Sequence, residues 1–109
     1  MEQTFITISH LDDFMSAEFL EPGTEFDLVK EPNSYDAESV SVYSKRGVKC
    51  GYVANNWNRV ARGTHSAGYI SRDFEKNAAC IIRFRTENIA IAELILIDEA
   101  QPGSEKKDF

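Results

Sequence analysis

The chain has 109 residues, of which 42% are hydrophobic and 28% charged, and its formal net charge is −6. This length fits one domain and excludes two, and the apolar content excludes a disordered chain. No apolar run approaches the roughly 18 residues of a membrane-spanning helix. Residues 1–13 lack the basic start and long apolar stretch of a signal peptide, so we expect a cytoplasmic protein.

The first half of the chain contains three segments in which apolar and polar residues alternate, the pattern of half-buried strands. They are Thr4–Ser9, Glu25–Lys30 and Glu38–Tyr43. The segment Leu11–Leu20 is mixed and predicts a loop or one helical turn. Residues 21–23 and 31–36 carry turn-forming residues, which separate the three predicted strands.

The second half predicts three more strands and a helix. Strands are expected at 48–53, 78–85 and 88–97, with a short hairpin connection at 45–47 and a tight turn at 86–88. Gly51 inside the fourth strand indicates a bulge or a close backbone approach. Residues 55–62 predict a helix, with Asn55 or Asn56 as its N-cap and Gly63 as its stop, and 63–69 a loop of small residues. About six strands and one helix imply a small, strongly bent antiparallel sheet or barrel with helical inserts at residues 1–100, followed by a frayed polar tail at 101–109.

The charges form three blocks along the chain. Residues 1–43 carry a net charge of −9, residues 44–85 a net charge of +7, and residues 86–109 a net charge of −4. The acidic pI of about 4.8 argues at first against a nucleic-acid partner. The basic middle block nevertheless offers a positive face, unless folding interleaves the blocks so that their charges cancel.

The residue types needed for catalysis are sparse. The chain lacks a phosphate-binding glycine-rich loop, a GxSxG motif and an HExxH motif. His10 and His65 are too few for a metal cluster, and Asp12-Asp13 suits a solvated turn better than a metal site. Cys50 and Cys80 lie in apolar runs without a CxxC pair, so we expect reduced, buried thiols. We therefore expect a binding module rather than an enzyme, with no cofactor and no metal.

Residues 28–55 read LVKEPNSYDAESVSVYSKRGVKCGYVAN. A strand ending in Lys-Glu-Pro, then Asn-Ser-Tyr-Asp, an alternating strand and Gly-Tyr-Val-Ala-Asn resemble the HIRAN domain. This domain accompanies some DNA-remodelling helicases and also occurs as small stand-alone bacterial proteins. The Glu-Pro-Gly at 21–23 and the Gly-Thr-His-Ser-Ala-Gly at 63–68 resemble the stand-alone bacterial type. The resemblance covers about residues 5–97.

The resemblance implies a mainly β fold, a small OB-like or SH3-like antiparallel barrel of about six strands with one or two short helical insertions. It implies recognition of the 3′-hydroxyl end of single-stranded DNA, as an accessory to DNA repair or replication processing. In the motif that begins at Asn33, Tyr35 would stack on the terminal base and Asp36 would accept a hydrogen bond from the 3′-hydroxyl. The remaining assignments are a second stacking aromatic at Phe14 and polar contacts near the end phosphates at Tyr52 and Asn55.

Elementary physics is compatible with these roles. A flat aromatic ring stacks on any base, and a carboxylate accepts from a hydroxyl but repels a phosphate. Arg59 and Arg62, three apart on the predicted helix, would neutralise backbone phosphates. Structural alternatives stand beside these roles, because Asp36 could cap the following turn, while Tyr52, Phe14 and the helical Trp57 could be core residues.

The chain departs from the family pattern at three places. The proline before the motif tyrosine is missing, His10 replaces a glycine after the first strand, and Asp13 replaces a basic residue just before Phe14.

A second hypothesis is a protein-interaction module without a nucleic-acid role, since small barrels bind peptides at an edge strand and the acidic N-terminal block suits a basic partner.

Overall fold

The computed structural model of the chain describes residues 3–14, 18–56 and 58–95. Its six strands form a closed barrel in the order β1-β4-β3-β2-β5-β6, and every neighbouring pair is antiparallel. The predicted mainly β, OB-like barrel is therefore confirmed. The predicted ends at 96–97, the domain boundary at 100 and the tail lie outside the described residues. The strands are β1 (Phe5–Ser9), β2 (Glu25–Lys30), β3 (Val40–Tyr43), β4 (Lys49–Val53), β5 (Asn77–Arg85) and β6 (Ala90–Ile95).

The apolar residues of the alternating strands fill the barrel. Phe26 is the largest fully buried side chain among the described residues, and Ile6, Leu28 and Ile82 are buried with it. Burying such side chains is the main stabilising contribution of the fold. Both cysteines are free and fully buried, and burial, followed by the charges of Asp27 and Glu25, raises the pKa of Cys80 to about 12.

Gly51 marks a close approach between β4 and β1, as its place in the strand predicted. A side chain here would bring its Cβ to 3.0 Å from both Ile8 Cγ2 and the Ser9 carbonyl oxygen. Gly51 pairs with Val42 next to the register shift between β3 and β4. The missing side chain lets β1 and β4 pack tightly where the barrel wall bends.

The predicted helix at 55–62 is wrong. Its described residues form a bend and turns, and the short helix α1 spans Ala67–Ile70, beginning inside the predicted loop at 63–69 and ending one residue beyond it. A 3₁₀ turn at Ser71–Asp73 follows it, and another at Leu11–Asp13 supplies the helical turn expected after β1. Trp57 lies outside the described residues.

Contacts with β1 explain why 58–64 does not continue as a helix. The Thr7 hydroxyl accepts a hydrogen bond from the Ala61 N–H at 3.0 Å and shares another with the Thr64 hydroxyl at 2.8 Å. These bonds satisfy a backbone group that would otherwise need a helical partner. The helix forms instead after Ser66, whose side chain accepts from the Tyr69 N–H at 3.2 Å and acts as N-cap.

The charge blocks interleave in part. Lys45 pairs with Glu25 at 2.8 Å and with Asp27 at 2.6 Å, and Arg83 pairs with Glu93 at 2.8 Å. Each pair joins the basic middle block to a flanking acidic block, so several cations are neutralised in place. No helix in the described part of the chain is long and apolar enough to cross a membrane.

Candidate functional site

A cleft of about 370 Å³ lies beside the end of β4, between the loop at 31–39 and the turns that follow residue 53. It brings together six of the eight residues that the sequence proposed for nucleic-acid binding. Phe14 and Arg62 do not line it. The six are Asn33, Tyr35, Asp36, Tyr52, Asn55 and Arg59.

The loop that carries Tyr35 is held by Asn33. Its side-chain oxygen accepts hydrogen bonds from the backbone N–H groups of Tyr35 and Asp36, both at 2.9 Å, and its own N–H donates to the Asp36 carbonyl at 3.0 Å. Asparagine suits this turn because its short side chain bonds the backbone two residues on. The Tyr35 side chain itself is 98% exposed. The hydrogen-bonded loop therefore holds the Tyr35 ring in solvent, where the ring does not contribute to packing.

Asp36 has the structural role that the sequence left open as an alternative. Its Oδ1 accepts from the Glu38 N–H at 2.8 Å and caps the turn. The Asn55 side-chain amide donates to Oδ1 at 3.3 Å and to Oδ2 at 3.2 Å. Asp36 is half-buried and lines the cleft. Since an ionised carboxylate has about four acceptor positions, these bonds leave acceptor capacity on Oδ2 for a ligand hydroxyl.

Asn55 connects three parts of the site. Besides Asp36, its amide donates to Glu38 Oε1 at 3.1 Å, and its oxygen accepts from the Gly68 N–H at 2.9 Å. Asn55 or Asn56 was predicted as the N-cap of a helix at 55–62. Asn55 satisfies instead an N–H in the first turn of α1, 13 residues further on. The amide also separates two carboxylates that would otherwise repel each other.

Tyr52 lines the cleft and is half-buried on the outer face of the barrel. The Phe14 ring lies against it at 5.8 Å between centroids and packs on the core. The proposed second stacking residue therefore supports Tyr52 rather than lining the cleft. Lys49 Nζ donates to the Tyr52 hydroxyl at 3.2 Å and lies 4.6 Å from the ring centre.

Glu31 ties this outer face together. It accepts from the Tyr43 hydroxyl at 2.8 and 3.0 Å and pairs with Lys49 at 3.4 Å. The pKa of Glu31 lies below its ordinary value of 4.5. The Ser41 hydroxyl contributes most to this lowering, and Tyr43 and Lys49 contribute less. Burial alone lowers the pKa of Lys49, but its contacts with Tyr52 and Glu31 outweigh burial and raise it. Lys49 is therefore a charged support behind the cleft.

His10 is the site residue that sequence reasoning missed as a contributor. It has a left-handed backbone, φ 64° and ψ 31°, the conformation that glycine adopts without cost. The same strain costs a residue with a side chain roughly 1 kcal/mol. The imidazole contacts the Tyr52 ring edge to face, with 5.5 Å between the ring centroids, and lines the cleft. Its Nδ1 shares a hydrogen bond of 3.0 Å with the Ser9 hydroxyl. The signal was present in the sequence, because a histidine stands where the resemblance expects glycine.

The two arginines predicted on one helix face are separated. Arg59 lines the cleft, whereas Arg62 lines an adjoining groove that meets the cleft at Asn55. The reason is the missing helix, since turns do not place residues three apart on one face. Among the described residues, neither guanidinium group has an ion-pair or hydrogen-bond partner. Both are therefore available to an anionic ligand.

Comparison of the chain with protein-family models, curated proteins and solved structures finds no match. Within residues 3–14, 18–56 and 58–95, no three His, Cys, Asp or Glu side chains are grouped as they would be to hold a metal ion.

Proposed function

We propose that this protein is a nucleic-acid-binding module of the HIRAN type that recognises the 3′-hydroxyl end of single-stranded DNA, acting in the cytoplasm as an accessory to DNA repair or replication processing. The observation that carries the proposal is the arrangement of Tyr35, Asp36 and Arg59 around one cleft. An almost fully exposed aromatic ring, an acceptor and a cation without a partner among the described residues suit a terminal base, its sugar hydroxyl and a phosphate, respectively.

The carboxylate makes the cleft selective. Asp36 accepts a hydrogen bond from a free hydroxyl, while a 3′-phosphate would bring like charges together. Arg59 supplies the attraction for an internal phosphate on the same cleft. The contribution of Tyr35 to stability is small because its side chain is exposed, and the exposed ring is free to stack on a ligand.

Fluorescence anisotropy at low salt with 5′-labelled single strands tests the proposal. Tyr35→Ala is expected to weaken binding by about 1–3 kcal/mol, the usual contribution of one stacked base. Asp36→Asn is expected to reduce the preference for a 3′-hydroxyl over a 3′-phosphate. Phe84→Ala removes an equally large ring that is 59% exposed on β5, and serves as the matched control. Absence of binding to any strand overturns the proposal, and equal binding of both ends removes the end-recognition role.

The second hypothesis, a protein-interaction module, loses its edge-strand argument. Each of the six described strands has a neighbour on both sides, because β1 and β6 close the barrel. A protein partner that resists nuclease treatment, together with absence of DNA binding, would favour this hypothesis over ours.

A further inference from the structure

The end-binding cleft opens into two different grooves. One groove, of about 610 Å³, shares Ser9, His10 and Arg59 with the cleft. The other, of about 500 Å³, shares Asn55 with it. These two grooves adjoin the cleft and offer a strand whose last nucleotide occupies it two paths along the protein surface.

The first groove is unfavourable for a phosphate backbone. Asp12 and Asp13 both line it and both are exposed. Arg59 is the one cation among its described lining residues, and it already faces the end-binding cleft. Two carboxylates against one shared cation repel a polyanion at short range, where salt screens least.

The second groove differs from the first in its acidic residues. Like the first groove it is lined by one arginine and one histidine, here Arg62 and His65, but no described lining residue is acidic. The Tyr69 ring, 45% exposed, stacks on His65 at 4.2 Å with an interplanar angle of 13°. The Arg72 guanidinium lies 4.6 Å from the Tyr69 ring centre, and its Nε donates to the Tyr69 carbonyl at 3.2 Å. Flat aromatic and guanidinium surfaces are the groups on which unpaired bases stack.

We propose that the single strand leaves the end-binding cleft past Asn55 and follows the groove of Arg62, His65 and Tyr69, rather than the groove of Asp12 and Asp13. This inference rests on the proposed function, because it assumes that the strand end lies in the Tyr35–Asp36 cleft. Arg62 then contacts a phosphate, and the His65–Tyr69–Arg72 cluster contacts the bases upstream of the end.

Oligonucleotides of different length distinguish contacts in the groove from contacts in the cleft. We expect Arg62→Ala and Tyr69→Ala each to weaken binding of an oligonucleotide of about eight residues by roughly fivefold or more, and to leave a 3′-hydroxyl dinucleotide unaffected. Arg62→Ala should also reduce the salt dependence of the longer strand by about 0.7 in the log–log slope. Arg46→Ala removes the same charge from the hairpin at the other end of β3 and β4, and is the matched control.

Photo-crosslinking locates the strand directly. A photoreactive thymine analogue placed a few residues from the 3′ end should crosslink to the 62–69 segment, as identified by mass spectrometry. Crosslinks to residues 10–13, or a loss of affinity in the long strand limited to Arg59→Ala, overturn this inference while the proposed function stands. Wild-type protein that binds no strand, or binds without regard to its end, overturns the proposed function and this inference with it.

Discussion

The barrel interior and the loops around the cleft are held together by different forces. Inside the barrel, apolar side chains such as Phe26, Leu28 and Ile82 are excluded from water. Around the cleft, the backbone is held by hydrogen bonds from short polar side chains, above all those of Asn33 and Asn55. Apolar packing is non-directional, whereas hydrogen bonds position individual atoms.

This difference separates stability from recognition. The interior supplies most of the free energy of folding and presents nothing to a ligand. The loops supply less, but they orient the Asp36 carboxylate and raise the Tyr35 ring into solvent. Substitutions in the two regions should therefore affect different measurements.

The largest expected effect lies in the interior. Phe26→Ala should lower the free energy of unfolding by roughly 3–5 kcal/mol, because the cavity left behind cannot be filled. Phe84→Ala, which truncates an exposed ring on β5, should cost less than about 1 kcal/mol. Urea denaturation of both variants measures the contrast. Equal losses would show that the interior does not dominate stability.

The next effect falls where the two regions meet. Asn55→Ala leaves the Gly68 N–H without its acceptor and removes the donor between Asp36 and Glu38. We expect a loss of roughly 1–3 kcal/mol in urea denaturation, with weaker binding of 3′-hydroxyl strands. Asn56→Ala, at an exposed neighbouring position, is the control. A variant as stable as this control would contradict the bridging role of Asn55.

A smaller effect depends on pH. The pKa of Glu31 is lowered in the folded protein, so its ionised form stabilises the fold above the ordinary value of 4.5, and this contribution is lost as pH falls through the lowered pKa. Glu31→Gln should cost about 0.5 kcal/mol near neutral pH, since the pair is partly exposed. The difference from wild type should shrink in acid. Glu87→Gln in the exposed β5–β6 turn is the comparison, and a pH-independent difference for Glu31→Gln would contradict the assignment.

The smallest expected effect on stability is that of Tyr35→Ala. With 98% of the side chain exposed, truncation should change the free energy of unfolding by less than about 0.5 kcal/mol. The same sample should lose affinity for single strands in the anisotropy assay. A large loss of stability would show that the ring packs on the protein in solution, and would end the contrast between the two regions.

Part of the site followed from the sequence, because Asn33, Tyr35 and Asp36 lie within four residues of one short loop whose turn chemistry is local. Arg59 was predicted as a binding residue on a helix. It lines the cleft, although that helix does not form. Phe14 does not line the cleft because the ring it packs against, Tyr52, comes from a distant segment, and Arg62 lies in the adjoining groove because the predicted helix does not form. The left-handed backbone of His10 was visible only as an unusual residue at a glycine position.

The sequence by itself determined the six strands, because alternation and turn residues act over a few residues and β2 at Glu25–Lys30 matches its prediction at both ends. Tertiary structure decided where the helix lies, since hydrogen bonds from Thr7 on β1 take the Ala61 N–H. It also decided which charges remain free. Lys45 forms ion pairs with Glu25 and Asp27 on the barrel surface, whereas Arg59 and Arg62 form no ion pair with a described acid. A block of charge in the sequence becomes a charged surface only after folding has chosen the partners of each side chain.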